Sequence, residues 1–213
     1  GDVLDESVQL GAHAGPAPRR TQRALEQRAL ARHAARLGLA ALHPAQDRRA
    51  LVIGGGAIGL AAALALRAMG CADVTVVEPN AMRRDYLNLH CGVTALAAFS
   101  DPVPLVIDAV GYAATRAAAS TIAMPGGVIV HIGLGENSGG LDFRRMTLQE
   151  ITFIGTYTYT AQDFRDTAEA LFDGRLGPLD WAEERPLSEG ADAFKAIRSG
   201  RVAAPKTILK PQY

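Results

Sequence analysis

The sequence predicts an α/β protein: a doubly wound parallel sheet in three layers, α/β/α, with a helical N-terminal extension. Three observations lead there. From Arg49 onward, short apolar and β-branched runs alternate with stretches of helical spacing. "RALVIGG" is a short apolar run, as expected of a strand buried on both faces; "DVTVVE" is a β-branched run, and "PLVIDAVG" and "VIVHIGL" read as a third and fourth strand. The intervening segments are of helix length, so each strand–helix–strand unit reads as a right-handed parallel crossover.

Composition bounds the rest. With 213 residues and 48% hydrophobic content, the chain can bury one sizeable core. Its formal net charge is zero, which gives no case for nucleic acid or an anionic membrane as main partner. Cys71 and Cys91 lie in no C-x-x-C pair and read as small buried hydrophobes. No apolar run approaches the roughly 20 residues of a membrane span. The first residues, "GDVLDESVQLGAHAG", are acidic and lack an apolar core, unlike a secretory signal. A cytoplasmic location is the expectation.

Residues 1–20 read as a disordered or irregular extension, and 21–47 as a helix and linker. Thr21 is the expected cap of a helix to about Leu37, with Leu25, Ala29, Leu30, His33 and Leu37 on one face. Arg23, Arg28, Arg32 and Arg36 then form a solvated basic face, and "GLAALHPAQDRR" a loop. The nucleotide-binding unit spans 48–170. Its helices are "AIGLAAALALRAMG", closed by Gly70, then "PNAMRRDYLNLHCG" and "YAATRAAASTIAMPGG". "EITFIGTYTY" reads as a fifth strand after the loop "GENSGGLDFRRMTLQ", with Tyr157 and Tyr159 alternating along it. "AQDFRDTAEALFDG" is a helix with Asp163 near its cap. Residues 171–213 complete the domain with "ADAFKAIRSG" as helix and "KTILKP" as terminal strand. His131 and Trp181 read as packing residues.

The chemistry-bearing motif is the G-x-G-x-x-G of Gly54, Gly56 and Gly59, placed between a buried strand and a helix. Gly54 allows the tight turn, Gly56 lets backbone N–H groups approach a pyrophosphate, and Gly59 lets helix and strand pack closely. The helix start at Ala57 and Ile58 adds unpaired N–H donors and partial positive charge. Glu78 stands nineteen positions after Gly59, where this Rossmann fingerprint places an acid. Its carboxylate would accept from both adenosine ribose hydroxyls and repel a 2′-phosphate, favouring NAD over NADP. Arg83 and Arg84 lie near enough to soften that repulsion. The plain alternative is a tight turn beside an exposed Glu. The same stretch also resembles the N-terminal segment of FAD-dependent oxidoreductases, which usually begin at this motif and run well beyond this length.

The segments downstream of the motif decide between these. "LVIDAVG", "MPGGVIVHIGL", "QEITFIGTYTYTAQDF", "DAFKAI" and "PKTILKP" occur in that order. The set resembles the medium-chain dehydrogenase/reductase superfamily, specifically zinc-type alcohol and polyol dehydrogenases of the sorbitol dehydrogenase kind, over Arg49 to Pro211. The resemblance implies NAD(H) as cofactor. Glu78 and Arg83 would then hold its adenosine end, and Val110 and Gly111 would lie under it. The backbone of Ile132, Gly133 and Leu134 would meet the nicotinamide carboxamide, with Thr156, Tyr157 and Thr158 as a second nicotinamide-side loop. The sequence departs from the family at Thr158, where an arginine is frequent. The family often dimerises through the sheet edge near "TFIGTYTY", so a homodimer is a further implication.

The family reaction is reversible oxidation of a secondary alcohol to a ketone by hydride transfer, with zinc polarising the alcohol oxygen. The family's zinc ligands, a Cys and a G-H-E segment among them, have no counterpart in these residues. No catalytic or metal-binding residue is assigned, and little turnover is expected of the isolated chain. "EQRALARHA" keeps Glu26 and His33 at the spacing of a family segment that precedes the cofactor domain. Only 12 residues separate Gly92 from Leu105, so a third strand survives as "ALAAF" and the next crossover helix is lost. A non-catalytic nucleotide-binding or regulatory protein is the second reading, and a flavoprotein fragment the third.

Overall fold

The computed structural model describes residues 19–43, 47–177 and 180–211. Most of the expected N-terminal extension, residues 1–18, lies outside the described residues, as do 44–46 of the linker.

Six parallel strands form the main sheet: β1 (Arg49–Ile53), β2 (Asp73–Val77), β3 (Thr94–Leu96), β4 (Val103–Asp108), β5 (Ala123–His131) and β6 (Thr152–Gly155). Their spatial order is β3-β2-β1-β4-β5-β6, the doubly wound order that reverses between β1 and β4. Register is set through the middle of the sheet, where Val52 stands between Val76 and Ile107. Side chains alternate between two cores, as a period of two requires. Val52, Val76, Leu105, Ile107 and Val130 face one, and Leu51, Ile53, Val106 and Ile129 the other.

The first core is covered by α1 (Arg19–Ala41), α2 (Ala57–Ala68), α3 (Ala81–His90) and α6 (Ala161–Phe172). The second is covered by α4 (Ala113–Ile122) and α5 (Phe143–Leu148). Alanine explains the close layering: Ala29, Ala31, Ala34 and Ala35 of α1 and Ala62 and Ala63 of α2 are fully buried. Three layers and the expected fold class result.

Several elements differ from the sequence expectation, each for a tertiary reason. α1 begins at Arg19, before Thr21, and continues through Gly38 to Ala41. At Gly38 the helix lies directly on the sheet: a Cβ there would stand 2.6 Å from Leu105 Cδ1. The basic face of α1 is only partly solvated: Arg36 is exposed, whereas Arg32 is half-buried and Arg28 buried. Arg28 is buried against the Trp181 ring at 4.6 Å, and burial pulls its guanidinium down to about 10. Arg32 pairs with Asp166 at 3.2 Å and Arg36 with Asp163 at 3.0 Å, which ties α1 to α6. The stretch read as one loop before β6 contains α5. β6 ends at Gly155, so Tyr157 and Tyr159 lie in no strand.

The terminal strand β8 (Lys206–Lys210) does not join the main sheet. It pairs in parallel with β7 (Ala182–Pro186), a strand not anticipated, across α7 (Gly190–Arg198). As the sequence predicts, no helix connects β3 to β4; instead Phe99 of that connection packs with Val77 against the second core. Cys71 and Cys91 are buried free thiols, each pushed up to about 11 by burial. Among the described residues, no helix is long and apolar enough to cross a membrane.

Candidate functional site

The glycine turn sits where the sheet order reverses, between β1 and α2. Gly54 adopts φ +100° and donates its N–H to Val77 O at 2.8 Å, folding the turn across the end of β2. Gly59 faces the same turn from inside α2. A Cβ at Gly59 would stand 1.8 Å from Gly54 O, so only hydrogen fits. Gly56 is the opposite case: nothing lies within 4 Å of where its Cβ would be. It precedes Ala57 at the N-terminus of α2, which carries no side-chain cap. The first-turn N–H groups, with Ala57 and Ile58 half-buried, therefore have only solvent or a ligand to meet.

Glu78 closes the β2 side. It is only 5% exposed, and both its oxygens are engaged: Oε2 accepts the Gly55 N–H and Oε1 the Asn80 N–H, each at 2.9 Å. An exposed acid beside a structural turn is therefore not what the chain builds. Arg83 lies 3.9 Å from Glu78 and donates to Val202 O at 3.1 Å, leaving its buried Nε without a partner. Asn80 caps α3 at Arg83 N and donates to Gly200 O at 2.6 Å. The segment before β8 thus rests on this edge. Arg84 donates to the carbonyls of Glu78 and Pro79.

At the other end of the cleft, β4 and β5 deliver Val110, Gly111, Ile132, Gly133 and Leu134. Val110 Cγ2 would stand 2.5 Å from a Cβ at Gly54, so the glycine turn and the β4 end touch. Gly111, at φ +78°, and Gly133 meet backbone to backbone: a Cβ on either would lie 2.1–2.2 Å from the other segment. Ile132 is buried and Leu134 is 76% exposed. Thr156 donates its N–H to His131 O at 3.0 Å, which joins its loop to the β5 end. Tyr157 and Thr158 stand exposed beyond it.

Two residues not assigned from sequence organise this end. Asp108 is fully buried. Its Oδ1 accepts Val110 N–H and Gly111 N–H at 3.0 and 2.9 Å, and its Oδ2 accepts the Thr115 hydroxyl at 3.0 Å. His131 packs there too, with Nδ1 3.2 Å from Asp108 Oδ2 and its ring against Phe153. Arg116, 6% exposed, donates to main-chain carbonyls of Gly111 and of the loop after β5. The sequence signal for Asp108 was a lone acid inside an apolar strand. Nothing marked Arg116. Among the described residues, no group of three His, Cys, Asp or Glu side chains is placed to hold a metal ion.

Comparison with known proteins accords with this geometry. The sequence model of the family described as zinc-binding dehydrogenase matches residues 57–173, more than half of the chain. A probable diacetyl reductase [(R)-acetoin forming] 2 of Saccharomyces cerevisiae is 31% identical over 144 residues, covering 60% of this chain and 34% of that protein. An acetophenone reductase from Geotrichum candidum, solved in complex with NAD, superposes with a TM-score of 0.73 at 19% identity. A putative zinc-binding dehydrogenase from Sinorhizobium meliloti, bound to NADP, does so at 0.67 and 21%. These matches cover 86% and 79% of this chain and 53% of each of those chains. The chain therefore spans about a third to a half of the length of the relatives it matches. On the family match and the shared fold, the chain belongs to the zinc-binding dehydrogenase family.

Proposed function

We propose that this chain binds NAD(H) as the cofactor domain of an alcohol- or polyol-type dehydrogenase, whose reaction is reversible oxidation of a secondary alcohol to a ketone. The observation that carries the reading is the open face at Gly56 above an uncapped helix start. A pyrophosphate needs that combination: backbone donors in reach, no side chain in the way, and the positive end of a helix dipole. The residues fit a dinucleotide along their whole length. Gly54, Gly56, Ala57, Ile58 and Gly59 would hold the pyrophosphate. Glu78 and the unpartnered Arg83 Nε would meet the adenosine ribose. Val110, Gly111, Ile132, Gly133 and Leu134 form a backbone floor for the nicotinamide, with Thr156, Tyr157 and Thr158 at its rim. When bound, the cofactor supplies a hydride acceptor or donor.

Relatives of this fold hold NAD in one case and NADP in another, so the fold does not choose between them. Glu78 favours NAD. Its carboxylate is buried beside the ribose position, and each oxygen keeps one lone pair for a hydroxyl after accepting a backbone N–H. A 2′-phosphate there would meet a fixed negative charge. The yeast relative's name describes a diketone reductase and the Geotrichum protein's an aryl ketone reductase, which supports a ketone and secondary alcohol as the reacting pair. The described residues do not fit a zinc ion, and none of the roles given to them depends on one. The chain alone is expected to bind cofactor without turnover. Exposed Phe153, Phe143 and Leu148 near β6 support a homodimer through that sheet edge.

Calorimetric titration of NAD(H) and NADP(H) into the protein and Glu78→Ala tests the reading. NAD(H) should bind the parent chain more tightly than NADP(H), and the variant should lose that preference. No binding of either dinucleotide to the parent chain would refute it. Zinc-dependent oxidation of a polyol by the purified chain would refute the expectation of no turnover.

A further inference from the structure

We propose that Arg116 is a positioning residue for the nicotinamide half of the cofactor, a proposal that rests on the dinucleotide reading above. A guanidinium as buried as this one ordinarily faces a carboxylate. Arg116 bonds main chain instead. Nε donates to Gly139 O at 2.6 Å, Nη1 to Gly111 O at 2.8 Å and Glu136 O at 3.2 Å, and Nη2 to Ser138 O. The neighbouring carboxylates are engaged elsewhere: Glu136 Oε2 accepts the Ala113 N–H at the start of α4, and Asp108 holds Val110, Gly111 and Thr115. One buried cation therefore gathers four main-chain carbonyls.

Those carbonyls belong to two segments that must be held together. Gly111 ends the β4 side of the nicotinamide floor. Glu136, Ser138 and Gly139 belong to the loop that leaves Gly133 and Leu134, the β5 side. The loop returns two bonds of its own, from Gly135 N–H to Val110 O at 3.1 Å and from Glu136 N–H to Gly111 O at 2.9 Å. It folds back over α4 so closely that a Cβ at Gly140, at φ +90°, would stand 2.0 Å from Ala113 O. An unpaired buried charge is costly, so the loop conformation that satisfies Arg116 is the one the fold selects. That conformation fixes where Gly133 and Leu134 present their backbone. None of these bonds reaches Glu78, Asn80 or Arg83, which are tied to Gly55, Gly200 and Val202 instead. Arg116 thus acts on one half of the cofactor and leaves the other alone.

The test separates the halves. NADH and ADP-ribose are titrated into the parent protein, Arg116→Leu and Arg116→Lys, with bound-NADH fluorescence followed alongside. The Leu variant should lose about tenfold in NADH affinity while ADP-ribose affinity stays within about twofold, because only the nicotinamide seat is disturbed. Its bound-NADH fluorescence should move towards that of free NADH. The Lys variant, which keeps the charge and part of the bonding, should fall between. If the Leu variant does not fold, the same ratio read on the Lys variant decides. NADH and ADP-ribose affinities falling together, or neither changing in a folded variant, would overturn the proposal. A parent chain that binds neither ligand would remove the cofactor reading and Arg116's role with it. A parent chain that binds both equally, with no change in fluorescence, would leave the adenosine half standing and overturn Arg116 alone.

Discussion

The two ends of the cleft are built in different ways. On the β2 side, one acid makes the main connections: Glu78 ties the glycine turn to the start of α3, and the segment at Gly200–Val202 leans on Asn80 and Arg83. On the β4–β5 side, two backbones touch at Gly111 and Gly133, and buried Asp108 and Arg116 hold them by bonding main chain. On the proposed reading, the first end offers a side chain to the ligand. The second is a backbone surface kept in shape from behind. Recognition by side chain leaves a spacing in the sequence. Recognition by backbone leaves only glycines, and its supports are scattered.

The sharpest break of that comparison comes from a methyl group. Gly133→Ala places a Cβ 2.1 Å from the Val110 carbonyl carbon, and should cost about 3 kcal/mol or more in chemical denaturation. Gly56→Ala meets nothing within 4 Å and lies at φ −75°, so stability should stay within about 1 kcal/mol while dinucleotide affinity falls. A well-folded Gly133→Ala variant would show that the two segments are free to separate.

Next come the two acids. Asp108→Asn turns a buried acceptor set into one with a misplaced NH2, facing the Thr115 hydroxyl or the β4-end N–H groups. It should cost about 3 kcal/mol. Glu78→Gln disturbs one of two backbone bonds and should cost about 1–2 kcal/mol, with most of its effect in the NAD-to-NADP affinity ratio. Equal losses in urea midpoint for the two variants would erase the distinction between the ends.

A third acid, Asp163 at the start of α6, gives a pH-dependent effect. Burial would raise the Asp163 carboxyl, but bonds from Thr160, Arg36 and His33 outweigh it and hold it well below the usual carboxylate range. A depressed folded value means the carboxylate's contribution is complete above the unfolded value near ~3.9 and is lost as pH falls through the folded value. The stability difference between the parent protein and Asp163→Asn, read by chemical denaturation across a pH series, should therefore shrink as pH falls below about 4. The smallest effect belongs to the rim: Thr158→Ala, at an exposed position, should alter stability by less than about 0.5 kcal/mol.

Much of the fold was legible because it rests on period. Strands β1, β2, β4 and β5 are dominated by apolar and β-branched residues, and α2 carries its alanines where the sheet needs thin side chains. Glu78 was legible by its distance from Gly59. The features that were not legible depend on contacts between distant segments. Gly38 reads as a helix stop until Leu105 is seen beneath it. Arg28, Arg32 and Arg36 read as solvated until Trp181 and α6 are placed beside them. β7, "AEERP", is too charged to read as a strand and forms one only by pairing with β8. α5 is six residues long, shorter than a period can reveal. Arg116 has no signature, because its partners are carbonyls that every residue carries.

The central claim is that one dinucleotide lies across both ends. Amide resonances mapped during an NAD titration test it directly. Residues Gly55–Gly59 at the turn and Val110, Gly111, Gly133 and Leu134 at the floor should shift together and fit a single affinity. Shifts confined to the turn, or two sets with separate affinities, would contradict it.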